Sequence, residues 1–348
     1  SRRSTGRRTP RNRPQSQPGR GGTPAATCFR SEPVAIQPAE FLLPAGVPSI
    51  EAMVAREKRH ARKRFWTALA FMAPALVFVG GFLLLPVAFN VYASFTQWQK
   101  FKGLDQMAGF ANYTRLFSNP NFETASFNTI LWVVASFFLP ALFGLALALL
   151  VKGLRGEETF KSVYFLPRMF SATAIGVLWY YVYAGEGIVN SGLRAVGLGD
   201  YARNWLYEAN FATPAMIFTH LWQQVGLTMV LLLLGLNALP TDPLEAAKVD
   251  GASRWQVFRY IVLPLLAPTI MVVVTVSVLA GFTSFDLVWV MGRDYPNRST
   301  LTLAVNQYWE SFRAGYWAYG AAIAVILGII ALSISWVLGW LQQRLDRR

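Results

Sequence analysis

The stretch LPTDPLEAAKVDGASRWQVFRYIVLP, residues 239–264, separates two long apolar segments and is the most informative part of the chain. We call it the 239–264 loop. Its first half predicts a short helix, with Asp242 as the N-cap, Pro243 at the first helical position and Glu245 completing a capping box. This helix is expected to end near Val249.

The second half of the 239–264 loop predicts a sharp turn followed by another helix. Gly251 has no Cβ, so it can adopt the positive φ that ends a helix. Ser253 and Gln256 form a second capping box, from which a helix leads toward Pro264. The small residues at the turn would let a partner's backbone approach closely; they are Ala246, Ala247, Gly251 and Ala252.

Outside this loop, six long apolar segments make up most of the chain. Each reaches or exceeds the roughly 20 residues that a helix needs to cross about 30 Å of hydrocarbon. Strand-like alternation is absent, and backbone groups in lipid must bond within their own segment, so an all-α membrane protein with about six transmembrane helices is predicted. The segments are residues 65–93, 127–151, 162–183, 213–239, 261–291 and 316–341.

Residues 1–64 carry most of the excess positive charge. They contain fourteen Lys and Arg against four Glu, a net charge of +10 out of +14 for the whole chain. A basic run beside an apolar helix is typical of a topology determinant at the anionic inner leaflet, which disfavours nucleic acid as a partner. The composition predicts a disordered cytoplasmic tail at 1–64 before a membrane domain at 65–348. We expect native synthesis to start at Met53.

The distribution of Lys and Arg between the segments predicts the orientation. One set of loops has the denser basic residues, close to the helix ends: residues 56–64, Lys152, Arg155, Lys161, Lys248, Arg254, Arg259, Arg344, Arg347 and Arg348. The other set is sparser: Lys100, Lys102, Arg115, Arg194, Arg203, Arg293, Arg298 and Arg313. Both termini and the 239–264 loop are therefore expected in the cytoplasm.

Few residues in the chain suit catalysis or metal binding. Cys28 is the only cysteine, and His60 and His220 are the only histidines. A disulfide within the chain, a cysteine metal site and a His-based triad therefore lack their residues. The phosphate-binding Gly-x-x-x-x-Gly-Lys-Ser/Thr motif is also missing. We predict no catalytic residue and no metal ligand, which disfavours a membrane enzyme.

The residues of the 239–264 loop resemble the EAA loop of ABC-importer permeases. The matching positions are Glu245, Ala246, Ala247, Asp250, Gly251, Ala252, Phe258, Ile261, Leu263 and Pro264. The resemblance implies a cytoplasmic helix-turn-helix between transmembrane helices 4 and 5. It also implies that the first six positions couple the permease to an ATPase. Two other interpretations are an ordinary capped turn and a DNA-reading unit using Arg254 and Gln256, which the flanking membrane segments would keep from a major groove.

Further stretches are similar to the carbohydrate-uptake branch of that family, on the side of the maltose-type first permease. They are LPVAFNVYASFT at 85–96, GFANYTRLF at 109–117, and residues 128–129, 165–167 and 285–286. The resemblance covers about residues 65–348. One departure is residues 292–300, GRDYPNRST, where the family often has a Gly-rich turn ending in Pro.

This resemblance implies the setting of the protein. It would lie in a bacterial or archaeal cytoplasmic membrane with a second permease subunit, two copies of an ATP-binding subunit and an external solute-binding protein. ATP and Mg would bind to the ATPase subunits, and this chain would hold no cofactor.

Polar residues in the fourth and fifth segments are candidates for the solute pathway. Side chains that can hydrogen-bond are costly in lipid and usually face a pore or a partner helix. A sugar needs hydrogen-bonding groups beside flat aromatic faces. The candidates that combine both are Trp222, Gln223, Gln224, Thr283, Phe285 and Asp286. The alternative is that they join helices together.

The expected function is the permease subunit of a binding-protein-dependent ABC importer for a sugar or related hydroxylated solute. A polyol or glycerol-phosphate importer is one alternative. A self-sufficient secondary transporter is another, although such proteins tend to need intramembrane acids and internal repeats. Asp286 is the only deep candidate acid, and no clear repeat is found.

Overall fold

The computed structural model of the chain describes residues 50–282, 284–292 and 298–346. Within these residues the structure is helical, with no strand and only two isolated bridges, Thr96 with Met107 and Gln99 with Lys102. Residues 1–71 and 72–348 form two separate units, and the sites discussed below lie in the second. The predicted all-α membrane fold is confirmed.

The α-helices follow one another along the chain with short connections. They are α1 Ile50–Phe78, α2 Leu85–Ser94, α3 Ala111–Phe117, α4 Pro120–Val151, α5 Glu157–Phe165, α6 Ala172–Val182, α7 Ile188–Ala195, α8 Ala209–Asn237, α9 Asp242–Val249, α10 Arg254–Val257, α11 Leu263–Phe282, α12 Phe285–Met291, α13 Leu303–Tyr308 and α14 Trp317–Asp346. Short π-helical turns continue three of them, at Val79–Leu84, Phe258–Val262 and Trp309–Arg313. Short 3₁₀ turns occur at Leu166–Met169, Gly199–Tyr201 and Arg298–Thr300.

Five helical segments of the described chain are long and apolar enough to cross a membrane. They are Met53–Ser94, Pro120–Val151, Ala209–Asn237, Arg254–Phe282 and Trp317–Arg344. They correspond to the first, second, fourth, fifth and sixth predicted segments. Helix α1 already begins at Ile50, so residues 50–64, assigned to the disordered tail, are helical. The rest of that predicted tail, residues 1–49, lies outside the described residues.

The third predicted segment, residues 162–183, is a broken helix rather than one continuous span. Helix α5 ends at Phe165, a 3₁₀ turn follows, and Phe170 is extended with φ −87° and ψ 147°. Pro167 lacks an N–H, and the Ser171 side chain caps the start of α6 by accepting from the Ala174 N–H. Helix α6 has 11 residues, about 16 Å at 1.5 Å per residue. The predicted six spans are thus five long helices and one short one.

The fifth span has different bounds from the predicted segment 261–291. It begins at Arg254, passes Pro264 without stopping, and ends at Phe282. Proline removes one hydrogen bond from the preceding turn, and the π-helical turn at Phe258–Val262 accommodates this loss. The helix predicted to lead from Ser253 toward Pro264 is present and continues into the span. Residues 285–291 form α12 instead.

Helix α4 packs against both α8 and α11 to form the centre of the fold. Small residues allow this close approach, because a Cβ at Gly144 would meet Thr228 and one at Gly281 would meet Ser136. The Thr228 hydroxyl also donates to the Pro140 carbonyl oxygen at 3.0 Å. This packing holds α8 and α11, the two helices that flank the 239–264 loop, against the same helix.

Candidate functional site

The 239–264 loop turns sharply at Gly251, as predicted. Its φ is 75°, and space around it is open. The Gly251 N–H donates to the Lys248 carbonyl at 3.2 Å, and the Ala252 N–H donates to the Ala247 carbonyl at 3.0 Å. This pair of bonds is a Schellman motif, which satisfies the last carbonyls of α9 and fixes the direction in which the chain leaves it.

One of the two predicted caps is present. The Ser253 hydroxyl accepts from the Gln256 N–H at 3.3 Å, and the Gln256 side chain accepts from the Ser253 N–H at 2.7 Å. The other cap is wrong, because α9 begins one residue earlier than predicted. Its N-cap is Thr241, which has helical φ and ψ and no side-chain capping bond. Asp242 and Glu245 instead lie in the first turn, where their charges favour the helix dipole.

The six predicted coupling residues lie together on this loop. Ala247 is buried, Ala252 is half-buried, and Glu245, Ala246, Asp250 and Gly251 are exposed. Large apolar side chains nearby are also exposed: Val249 at 88%, Trp255 at 68% and Tyr260 at 73%. The loop therefore presents a surface of small and apolar residues, of the kind that a protein partner covers.

A hydrogen bond ties the end of α8, just before the 239–264 loop, to the end of another span. The Lys152 ammonium, after the C-terminus of α4, donates to the Leu236 carbonyl of α8 at 2.7 Å. The Glu157 carboxylate accepts from the Gly153 N–H at 2.9 Å. A hydrogen bond from the Lys161 ammonium lowers the pKa of Glu157 below its ordinary value. These contacts connect the C-terminal ends of α4 and α8 with the neighbouring helix α5.

The glutamines predicted for the solute pathway are buried in α8, and one has a structural partner. Gln223 and Gln224 are each 4% exposed. The Gln223 amide Nε2 donates to the Phe170 carbonyl oxygen at 3.1 Å. That carbonyl lies at the break before α6, so Gln223 satisfies a backbone group that the broken helix leaves without its usual partner.

Trp222 lies beside the glutamines in sequence but faces a different neighbour. Its ring is 5.5 Å from the Trp179 ring, centroid to centroid. It also lines an apolar groove of about 580 Å³ between α4 and α8. Adjacent residues on a helix point about 100° apart, and here Trp222 and Gln223 contact different neighbours.

The candidates beyond the fifth span lie on α12. The Phe285 ring stacks on Trp289 at 5.8 Å and 14°, and lies 5.1 Å from the Tyr308 ring. Asp286 is exposed in the first turn of α12. Thr283 and residues 293–297, which include most of the departure from the family pattern, lie outside the described residues.

Sequence reasoning missed one residue in the membrane. Arg168 is the only charged residue between 162 and 183, and the structure places it, exposed, in the 3₁₀ turn just before the break. The signal was a single charge inside an apolar segment. Its position became informative only once the structure showed that the segment is broken there.

The family model described as "Binding-protein-dependent transport system inner membrane component" matches residues 140–348. The chain belongs to this family. A probable ABC transporter permease protein of Pyrococcus horikoshii is 35% identical over 76% of this chain and 92% of the relative. A multiple sugar-binding transport system permease protein of Streptococcus mutans is 30% identical over 78% of this chain and 93% of the relative.

Solved structures support the same fold. A bacterial ABC transporter involved in the import of the acidic polysaccharide alginate matches with a TM-score of 0.71 and 21% identity. The match covers 83% of this chain and 99% of that one. The permease is thus a multi-pass inner-membrane transport subunit of a binding-protein-dependent ABC importer. The predicted family and class of function are confirmed, and the alternative functions are not favoured.

Proposed function

We propose that this permease moves a sugar or related hydroxylated solute across the membrane, driven by ATP hydrolysis in separate subunits. The observation that carries the proposal is the 239–264 loop, with its exposed turn at Gly251 and the apolar side chains around it. The sugar class is supported by relatives such as the multiple sugar-binding permease of Streptococcus mutans.

The proposed assembly contains a second permease subunit, two copies of an ATP-binding subunit and an external solute-binding protein. ATP and Mg bind to the ATP-binding subunits, and this chain holds no cofactor of its own. Both termini and the 239–264 loop face the cytoplasm, in accord with the basic residues near those helix ends.

The geometry suggests how movement of the ATPase reaches the membrane. Helix α9 is joined to α8 through residues 238–241, and beyond the turn α10 continues into the fifth span without a break. A displacement of α9 would therefore move the ends of α8 and α11 together. The Lys152 bond to Leu236 would carry the displacement to α4.

The energy source is tested with the whole complex in vesicles. Uptake should stop when ATP is removed and should persist when a protonophore dissipates the proton gradient while ATP is maintained. Uptake that depends on the proton gradient alone would contradict the proposal.

Orientation is tested with reporter fusions: those at Arg155 and Asp250 should report cytoplasm, and those at Asn119 and Arg203 the outside.

A further inference from the structure

Arg168 lies at the level of the middle of the α8 span. Helix α8 has 29 residues, about 43 Å at 1.5 Å per residue, and Gln223 is its midpoint. The Gln223 amide bonds the Phe170 carbonyl, so Phe170 lies at the same depth. Gly226, one turn further along α8, packs directly against the backbone of Tyr164. Arg168 lies between these two contacts, in the 3₁₀ turn Leu166–Met169.

Arg168 is exposed, and its guanidinium has no ion pair or hydrogen bond among the described residues. The helices around it carry few acids: α6, α8 and α11 have no Asp or Glu, and α4 has only Glu123 in its first turn. The acids of α5, Glu157 and Glu158, pair with Lys161, and α12, which packs on α6, has the exposed Asp286. A guanidinium facing hydrocarbon is costly, so such residues usually face a water-filled path or a charged partner.

The surroundings of Arg168 add to its positive potential. Helix α6 starts at Ala172, and its first N–H groups, at Ala172 and Thr173, have no acceptor within the helix. Together with the helix dipole they favour an anion at this end.

We infer that Arg168 and the start of α6 line the solute pathway and bind the carboxylate of an acidic sugar. This inference rests on the proposed function and narrows its substrate class. The planar guanidinium offers two parallel N–H donors that match the two oxygens of a carboxylate. The adjacent amides of α6 supply further donors from a fixed direction.

The test measures the electrostatic potential beside Arg168 with small charged thiol reagents. Cys28, the only cysteine, is changed to Ser, and Thr173→Cys places a thiol at an exposed position in the first turn of α6. The purified importer complex, with and without ATP, is treated with an anionic sulfonate methanethiosulfonate or its cationic trimethylammonium analogue. The anionic reagent should react preferentially. Adding Arg168→Gln should lower the anion-to-cation rate ratio about tenfold, because one nearby unit charge is lost.

Controls separate local from general effects. Arg168→Lys should keep most of the preference for the anionic reagent, and Arg313→Gln, which removes an outer charge, should leave the ratio unchanged. A trigalacturonate should slow labelling of the Thr173→Cys protein, whereas the neutral galactose trisaccharide should not.

Each contrary outcome overturns a specific statement. If Thr173→Cys reacts but the ratio is the same with Arg168 and with Arg168→Gln, the pathway stands and the anion site is wrong. An unchanged ratio would mean that another group, such as a carboxylate of the second permease subunit, neutralises the charge of Arg168. If Thr173→Cys is unreactive in every state, the pathway does not pass α6. The ATP dependence of uptake tests the proposed function on its own, and neither labelling result bears on it.

Discussion

The 239–264 loop and the break before α6 are both sharp turns between helices, and they form in different ways. At Gly251, the N–H groups of Gly251 and Ala252 return to carbonyls of α9, so the turn closes its hydrogen bonds within six residues. At the break, the Phe170 carbonyl is bonded by Gln223, which lies 53 residues further along the chain.

The difference follows from the surroundings of each turn. An exposed loop has water for any backbone group that the chain leaves unbonded, so a glycine and a capping box suffice. At the break, the Phe170 carbonyl packs against the buried side of α8, where a backbone group without a partner is costly. The second turn therefore needs a partner from another helix.

The largest effect is expected at the first turn. Gly251→Asp puts a Cβ into a left-handed conformation, at a cost of about 1–2 kcal/mol, and adds a charge to the proposed docking surface. Insertion into the membrane should be normal. Co-purification of the ATPase subunits and uptake in vesicles should fall to background.

Gly197→Asp is the matched control for this prediction. Gly197 has φ 81° and open space around it, as Gly251 does, but it lies in the connection after α7. Uptake by the Gly197→Asp protein should stay near that of the unchanged protein. If the two variants behave alike, the effect at Gly251 is backbone strain, and the loop is not the coupling element.

An intermediate effect is expected at the second turn. Gln223→Leu leaves the Phe170 carbonyl without its donor, which should cost about 1–3 kcal/mol of stability. The thermal denaturation midpoint of the solubilised complex should fall, and uptake should fall several-fold. Gln224→Leu is the control, since Gln224 is equally buried and no hydrogen bond of its amide is found in the described residues. Equal loss of stability in both variants would contradict the structural role of Gln223.

The smallest effect distinguishes the two helix starts in the 239–264 loop. Ser253→Ala removes a formed capping box and should cost about 0.5–2 kcal/mol. Thr241→Ala should cost almost nothing, because Thr241 makes no side-chain capping bond. Hydrogen exchange of the backbone amides near each N-cap measures the difference. Faster exchange at α9 in the Thr241→Ala protein would show that the residue caps the helix after all.

Much of the candidate site could be predicted because its signals are local. The turn at Gly251 and the cap at Ser253 depend on residues within one helical turn, and both predictions are confirmed. The start of α9 was misplaced by one residue because Thr241 and Asp242 are both suitable caps, and adjacent candidates differ little in energy. The coupling and pathway roles of the named residues remain predictions.

The sequence by itself determined that the chain is a helical membrane protein with a sharply turned loop between two spans. Hydrophobic length and local turn chemistry decide those features, and neither depends on distant residues. Only the tertiary structure decided that the third segment breaks, that Gln223 bonds the broken backbone, and that Arg168 lies level with the middle of α8. Those features depend on how α6 and α8 pack, which brings together residues far apart in the chain.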